Sequence, residues 1–201
     1  MTTVLLVRHA TCDPVGKSIA GRAEGVHLNA EGEQQARRVA ARLREVPVAA
    51  IYSSPLERAR ETAEHIARGR DLRVESFDAV AEIDFGEWTG CALGALAALP
   101  AWRRFNSFRS GTRIPGGELI AEVQARTVAG LASLRDRHPD ATVAVVSHAD
   151  VIKAALAYYL GTPLDLMQRL EVAPASISAV ALDAEGVRIL ALNDRGEPPG
   201  A

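Results

Sequence analysis

Val4-Leu5-Leu6-Val7, followed at once by Arg8 and His9, decides how the chain is read. An apolar run this short and unbroken is the pattern of a strand covered on both faces, as in a parallel sheet. The pattern returns at Val48 to Tyr52, broken by Ser53-Ser54-Pro55, and at Thr142 to Val146, followed by Ser147 and His148. Between these runs the period is helical. Over residues 30 to 46, Ala36, Val39, Ala40, Leu43 and Val46 share one face, while Glu31, Glu33, Arg38, Arg42 and Arg44 fall elsewhere. Serine before proline at 54–55 predicts a helix start, with Leu56, Ala59, Ala63 and Ile66 as its apolar stripe up to Gly69. Residues 117 to 137 carry Leu119, Val123, Leu131 and Leu134 on one side, and a further helix runs from His148 to Leu160. Val74 to Val80 reads as extended. Ile177 to Leu182 and Val187 to Leu192, joined at Ala184-Glu185-Gly186, read as a closing antiparallel hairpin. Repeated strand–helix units predict a three-layer α/β/α protein with a mostly parallel central sheet.

Composition agrees with a globular chain. Its 201 residues are 48% hydrophobic and 24% charged, which excludes a disordered protein, and no linker or repeat divides them, so one domain over 1–201 is expected. The net charge of −2 provides no bulk cationic field, so neither nucleic acid nor membrane is expected as a partner. The apolar runs fall far short of a transmembrane helix, and Met1 to Val7 lacks the cationic start and cleavage site of a signal peptide. Two cysteines, Cys12 and Cys91, are too few for a disulfide framework. The expectation is a cytoplasmic protein. Residues 84 to 116 fit neither period and hold Trp88, Trp102, Phe85, Phe105, Phe108 and four arginines; such an excursion reads as a lid or pocket wall.

In open parallel sheets ligands bind where the strands end. Here those ends carry Arg8-His9, Ser53-Ser54 followed by Arg58, and Ser147-His148, drawn from distant parts of the chain. Arginine presents a permanently charged planar fork suited to phosphate oxygens. Histidine near neutral pH serves as nucleophile, base or donor. Helices starting near Pro55 and Ala149 would aim their N-termini at the same place. The combination points to a phosphoryl group. No close pair of ligand histidines lies nearby, and flanking arginines repel a cation, so neither a metal nor any other cofactor is expected.

Leu6-Val7-Arg8-His9-Ala10-Thr11 resembles the signature of the histidine phosphatase superfamily, the phosphoglycerate mutase-like proteins, whose usual form is Arg-His-Gly. The resemblance continues through Gly21-Arg22, the block from Leu28 to Ala36, and Ser53-Ser54-Pro55-Leu56-Glu57-Arg58-Ala59-Arg60-Glu61-Thr62-Ala63. Glu82-Ile83-Asp84-Phe85-Gly86-Glu87-Trp88-Thr89-Gly90, Pro115-Gly116-Gly117-Glu118 and Val146-Ser147-His148 complete it. It implies a phosphoglycerate mutase-like fold, with His9 as the nucleophile that becomes a phosphohistidine. Arg8, Arg58 and His148 would clamp the phosphoryl oxygens, and Glu82 would protonate the leaving oxygen and then activate water. The nearby guanidiniums should hold His9 neutral by lowering its pKa.

Two residues depart from the family pattern: Ala10 and Ala149 each stand where a glycine is usual, adding a methyl group that is either accommodated or narrows the site and slows the reaction. Cys12 is placed near the pocket and reads as an inert small residue rather than a redox-sensitive thiol. True mutases of the family are longer and close the pocket with a C-terminal tail, whereas Asn193 to Ala201 is short and mobile-looking. The Gly21-Arg22 region and the Pro-Gly-Gly-Glu block are similar to those of the small phosphatases, including the α-ribazole phosphatase-like branch. The implied activity is hydrolysis of a small phosphorylated metabolite. Phosphomutase activity, or a weakly catalytic phosphate-binding regulatory role, is the alternative. Gly21 is a candidate substrate contact, Arg22 either such a contact or a support for residues that make one, and the arginines and aromatics of 102 to 113 are candidate lining of the entrance. A homo-oligomer is left open.

Overall fold

A computed structural model describes residues 1–196. Its order is β1 (Thr2–Arg8), α1 (Ala30–Leu43), β2 (Val48–Ser53), α2 (Glu57–Ala67) and β3 (Val74–Ser76), then α3 (Leu93–Ala97), α4 (Pro100–Ser107) and α5 (Ile120–Arg137). It closes with β4 (Thr142–Ser147), α6 (Ala149–Tyr159), β5 (Ile177–Leu182) and β6 (Val187–Asp194). The strands form one six-stranded sheet in the order β3-β2-β4-β1-β5-β6. β3, β2, β4 and β1 are parallel neighbours, while β5 and β6 add antiparallel at one side.

Alternation along the central strands splits the core into two layers, because successive side chains in a strand point to opposite faces. Leu5 and Val7, with Ile51, Ala144 and Val146, face the stripe of α1 and α2 formed by Ala36, Val39, Leu43, Ala59, Ala63 and Ile66. Val4 and Leu6, with Tyr52, Val143 and Val145, face Leu131 and Leu134 of α5 and Ile152 and Leu156 of α6. A three-layer α/β/α arrangement results. β1 is covered on both sides, as its unbroken apolar run requires.

The helix starts are locally encoded. Asn29 caps α1, its side chain accepting from Gly32 N at 3.0 Å, with Glu31 and Glu33 in the first turn. α1 stops at Leu43 rather than 46. Val46 precedes Pro47, which disfavours helical backbone, and Arg70 donates to the carbonyls of Leu43 and Val46 instead. The stretch expected to extend from Val74 to Val80 pairs with β2 over three residues only, then tightens into a 3₁₀ turn at Asp78–Val80.

The excursion at 84–116 contains α3, α4 and a 3₁₀ turn at Gly86–Trp88. It builds a third apolar cluster, in which Trp88 packs against Trp102 and Phe105 with ring centroids 5.2 and 5.4 Å apart. The expected tail includes residues 197–201, which lie outside the described residues. No helix among the described residues is long and apolar enough to cross a membrane.

Candidate active site

The register of the parallel strands sets the site. Arg8 stands opposite Ser147, and Ser53 opposite Val146, so β1, β2 and β4 finish side by side. The ladder runs one residue further on each side, His9 N donating to Ser147 O at 2.8 Å and Ser54 N to Val146 O at 2.9 Å. A cavity of about 360 Å³ opens above these ends. Arg8, His9, Arg58 and Glu82 line it together with Gly21, Cys12, Ala149 and the apolar side chains of Ile19, Phe85 and Trp102.

His9 is 4% exposed. Its Nδ1 lies 2.8 Å from Ala10 O, which can only accept, so Nδ1 carries the hydrogen and Nε2 keeps a lone pair. Burial, reinforced by Arg58 and Arg8, depresses its pKa from 6.5 to about 3. Neutral imidazole is therefore the resting form at neutral pH. Arg58, in the first turn of α2, is 1% exposed. It donates through Nη2 to Gly21 O at 2.9 Å and to His148 Nδ1 at 3.4 Å, and lies 3.8 Å from Glu82 Oε2. Gly21 adopts φ +52°, and a Cβ there would come within 2.8 Å of Thr89 Oγ1, so glycine is needed to present that carbonyl to Arg58. Arg8 donates to Val172 O at 2.8 Å. Arg8 Nε and Arg58 Nη1 are buried and have no hydrogen-bond partner among the described residues.

His148, which begins α6, is fully buried and has Ser54 Oγ 2.8 Å from Nε2 and Glu82 Oε2 3.4 Å from Nδ1. Its ring centroid is 5.1 Å from that of His9, and burial holds its pKa well below the usual imidazole value. It stands behind the cavity surface rather than on it. Burial drives the Glu82 carboxyl the other way, from 4.5 up to about 7, against the opposing pull of Arg58.

Several expectations land elsewhere. Arg22 does not line the cavity; it donates to Glu82 O and pairs with Glu118. The Ala10 methyl packs into the core cluster beside α1 and α2, away from the cavity, whereas Ala149 does line it. Of the 102–113 group only Trp102 and Arg109 reach the cavity; Phe105 is buried in the third cluster and Phe108 is 47% exposed. Sequence reasoning missed Asp150 and Gln168, which line the far wall beside Arg109. Arg109 donates to Asp150 at 2.8 Å, and Gln168 donates to the other oxygen of that carboxylate at 2.9 Å. Ser54, read only as a strand end, orients His148. No group of three His, Cys, Asp or Glu side chains that could hold a metal is gathered among the described residues.

The sheet order, with two histidines and two arginines gathered at the ends of its parallel strands, is that of a phosphoglycerate mutase-like α/β protein. The chain belongs to the histidine phosphatase superfamily (branch 1), whose family model matches residues 4–195. It is 34% identical over 200 residues to phosphoserine phosphatase 1 of Hydrogenobacter thermophilus, covering 96% of this chain and 92% of that one. It is 33% identical over 184 residues to the "Probable phosphoglycerate mutase GpmB" of Salmonella choleraesuis, covering 90% and 85%. Among solved structures, Bacillus stearothermophilus YhfR superposes with a TM-score of 0.91 at 29% identity, covering 96% of this chain and 98% of that one.

Proposed function

We propose that the protein is a metal-independent phosphatase that hydrolyses small phosphomonoesters through a phosphohistidine on His9. The carrying observation is the pair of buried, unbonded donors Arg8 Nε and Arg58 Nη1 beside a neutral imidazole. Buried donors without acceptors are rare, and a phosphoryl dianion supplies acceptors to both. In the first step His9 Nε2 attacks phosphorus, the P–O bond to the leaving group breaks, and the Glu82 carboxyl gives its proton to the departing oxygen. In the second, water attacks phosphorus, Glu82 takes a water proton, and the N–P bond breaks to release phosphate. Arg8 and Arg58 hold the phosphoryl oxygens through both steps, while His148, behind the cavity surface, backs Arg58 instead of joining the clamp the resemblance implied. The whole chain acts as one catalytic domain in the cytoplasm, with the 84–116 excursion as cavity wall.

Similarity to the probable mutase favours a second reading, in which an alcohol rather than water takes the phosphoryl group. Release of phosphate from p-nitrophenyl phosphate with EDTA present, comparing wild type with His9→Ala, tests the first. Activity that survives EDTA, vanishes in His9→Ala and leaves acid-labile phosphate on the wild-type protein is the expected result. Loss to EDTA would overturn it. Interconversion of 3- and 2-phosphoglycerate without phosphate release would favour the mutase.

A further inference from the structure

Glu82 lies in a segment without regular structure, between the two 3₁₀ turns Asp78–Val80 and Gly86–Trp88. Backbone polar groups there have no ladder to satisfy them and need partners from elsewhere. Arg126, on α5, supplies several: Nη1 donates to Ala79 O at 2.9 Å, and Nη2 to Ala81 O at 2.8 Å and Glu82 O at 3.3 Å. Arg22, 60 residues from Glu82 in sequence, reaches the same carbonyl through Nε at 2.8 Å. Both guanidiniums then meet on Glu118. Arg22 Nη2 donates to Oε2 at 3.0 Å, and Arg126 Nε donates to Oε1 at 3.0 Å. Glu118 Oε2 also accepts from Asp84 N at 2.8 Å, which closes a bracket around residues 79–84.

These bonds are charge-assisted, and the Arg126–Glu118 pair is largely shielded, its side chains 22% and 20% exposed. None of the three residues lines the cavity, so none contacts a substrate there. What they share is the main chain of the one residue whose carboxyl must meet the leaving oxygen. A misplacement of about 1 Å at such a group can cost roughly a hundredfold in rate.

We infer that Arg22, Glu118 and Arg126 are positioning residues that hold the Glu82 main chain so that its carboxyl reaches the leaving-group oxygen. The inference rests on the reading of Glu82 as the general acid. It is tested by leaving-group dependence. p-Nitrophenolate departs without a proton at neutral pH, whereas an alkoxide does not, although both esters need the same attack by His9. For Arg126→Met, Glu118→Gln and Arg22→Met, kcat on ethyl phosphate should fall about tenfold or more beyond any fall on p-nitrophenyl phosphate. An equal fall on both esters, or none, overturns the inference, because a merely structural role affects every step alike. Glu82→Gln, assayed in parallel, separates the two failures. If it shows no selective loss, the acid reading itself is wrong. If it does and the three variants do not, the inference alone is wrong. Thermal melting confirms folding, and should the shielded pair not tolerate change, Arg22→Met decides, since that side chain is 42% exposed.

Discussion

Glu82→Gln isolates proton transfer with little other disturbance. Glutamine is nearly isosteric, and its amide oxygen can go on accepting from Ile83 N, which lies 2.9 Å from Glu82 Oε1. The carboxyl it replaces titrates at about 7, because burial disfavours its charged form more than Arg58 favours it. At that value roughly nine-tenths of the protein carries the acidic proton at pH 6 and about one-tenth at pH 8. A general acid typically contributes about 10²- to 10⁴-fold, or about 3–5 kcal/mol, to a step that needs it.

The ratio of kcat/KM between wild type and Glu82→Gln, followed on an alkyl phosphate from pH 5 to 9, reads this group alone. The substrate's own second ionisation affects both proteins equally and cancels. The ratio should be flat below about pH 7 at roughly 10² or more, then fall about tenfold per pH unit above it. A ratio constant across the range, or one rising with pH, would refute the assignment of Glu82 as the proton donor in the first step.

Two further outcomes follow from the site and its supports. His9 titrates at about 3 when folded and at 6.5 when free, so below 6.5 the unfolded chain binds a proton that the folded chain does not. Its contribution to stability is complete above 6.5 and is lost as pH falls toward 3, by on the order of 5 kcal/mol in full. His9→Ala should therefore gain on wild type in urea unfolding as pH falls from 6.5 to 4, and a difference independent of pH would contradict this. Gly32→Ala should destabilise by about 2 kcal/mol or more, despite alanine's better helix propensity. The new methyl group would overlap Thr11 O, and the Thr11 backbone N–H and hydroxyl are both held by Gln35 at 2.9 Å. A raised urea midpoint would contradict it.

The parallel core was legible because its strands are short, unbroken apolar runs, and each ended on the polar residues that meet at the rim. Arg8, His9, Arg58 and His148 stood out because motif and strand-end position pointed the same way, whereas Glu82, in a segment without regular structure, was legible from the motif alone. Asp150 and Gln168 did not stand out, and Arg109 only as one of a group of arginines, since these are ordinary surface residue types 18 to 59 positions apart, brought together only when the excursion, α6 and the turn at Leu164–Arg169 pack. Arg22 was legible as a residue that either touches substrate or supports those that do, and the structure decides between the two: its side chain turns toward Glu82 O and Glu118. Ala10 illustrates the opposite limit. Its place in the motif suggested contact with phosphate, but the direction of its Cβ depends on how α1 and α2 cover β1.

One physical cause accounts for both protonation states that the proposed mechanism needs. Burial penalises charge whatever its sign, so the same enclosure lowers His9 to about 3 and raises Glu82 to about 7. The guanidiniums of Arg8 and Arg58 then act unequally. They push His9 further in the useful direction, while on Glu82 they pull against burial and hold it near neutrality rather than letting it rise higher. A phosphoryl dianion bound between those arginines would offset much of their charge. The Glu82 carboxyl would then lose part of the pull that favours its ionised form, and its pKa would rise on binding. On the proposed mechanism, substrate binding would thus strengthen the protonated state of Glu82 at the moment when a proton must be given. The proton given in the first step then leaves Glu82 as a carboxylate beside the cavity, placed on this mechanism to take the proton of the water that attacks in the second.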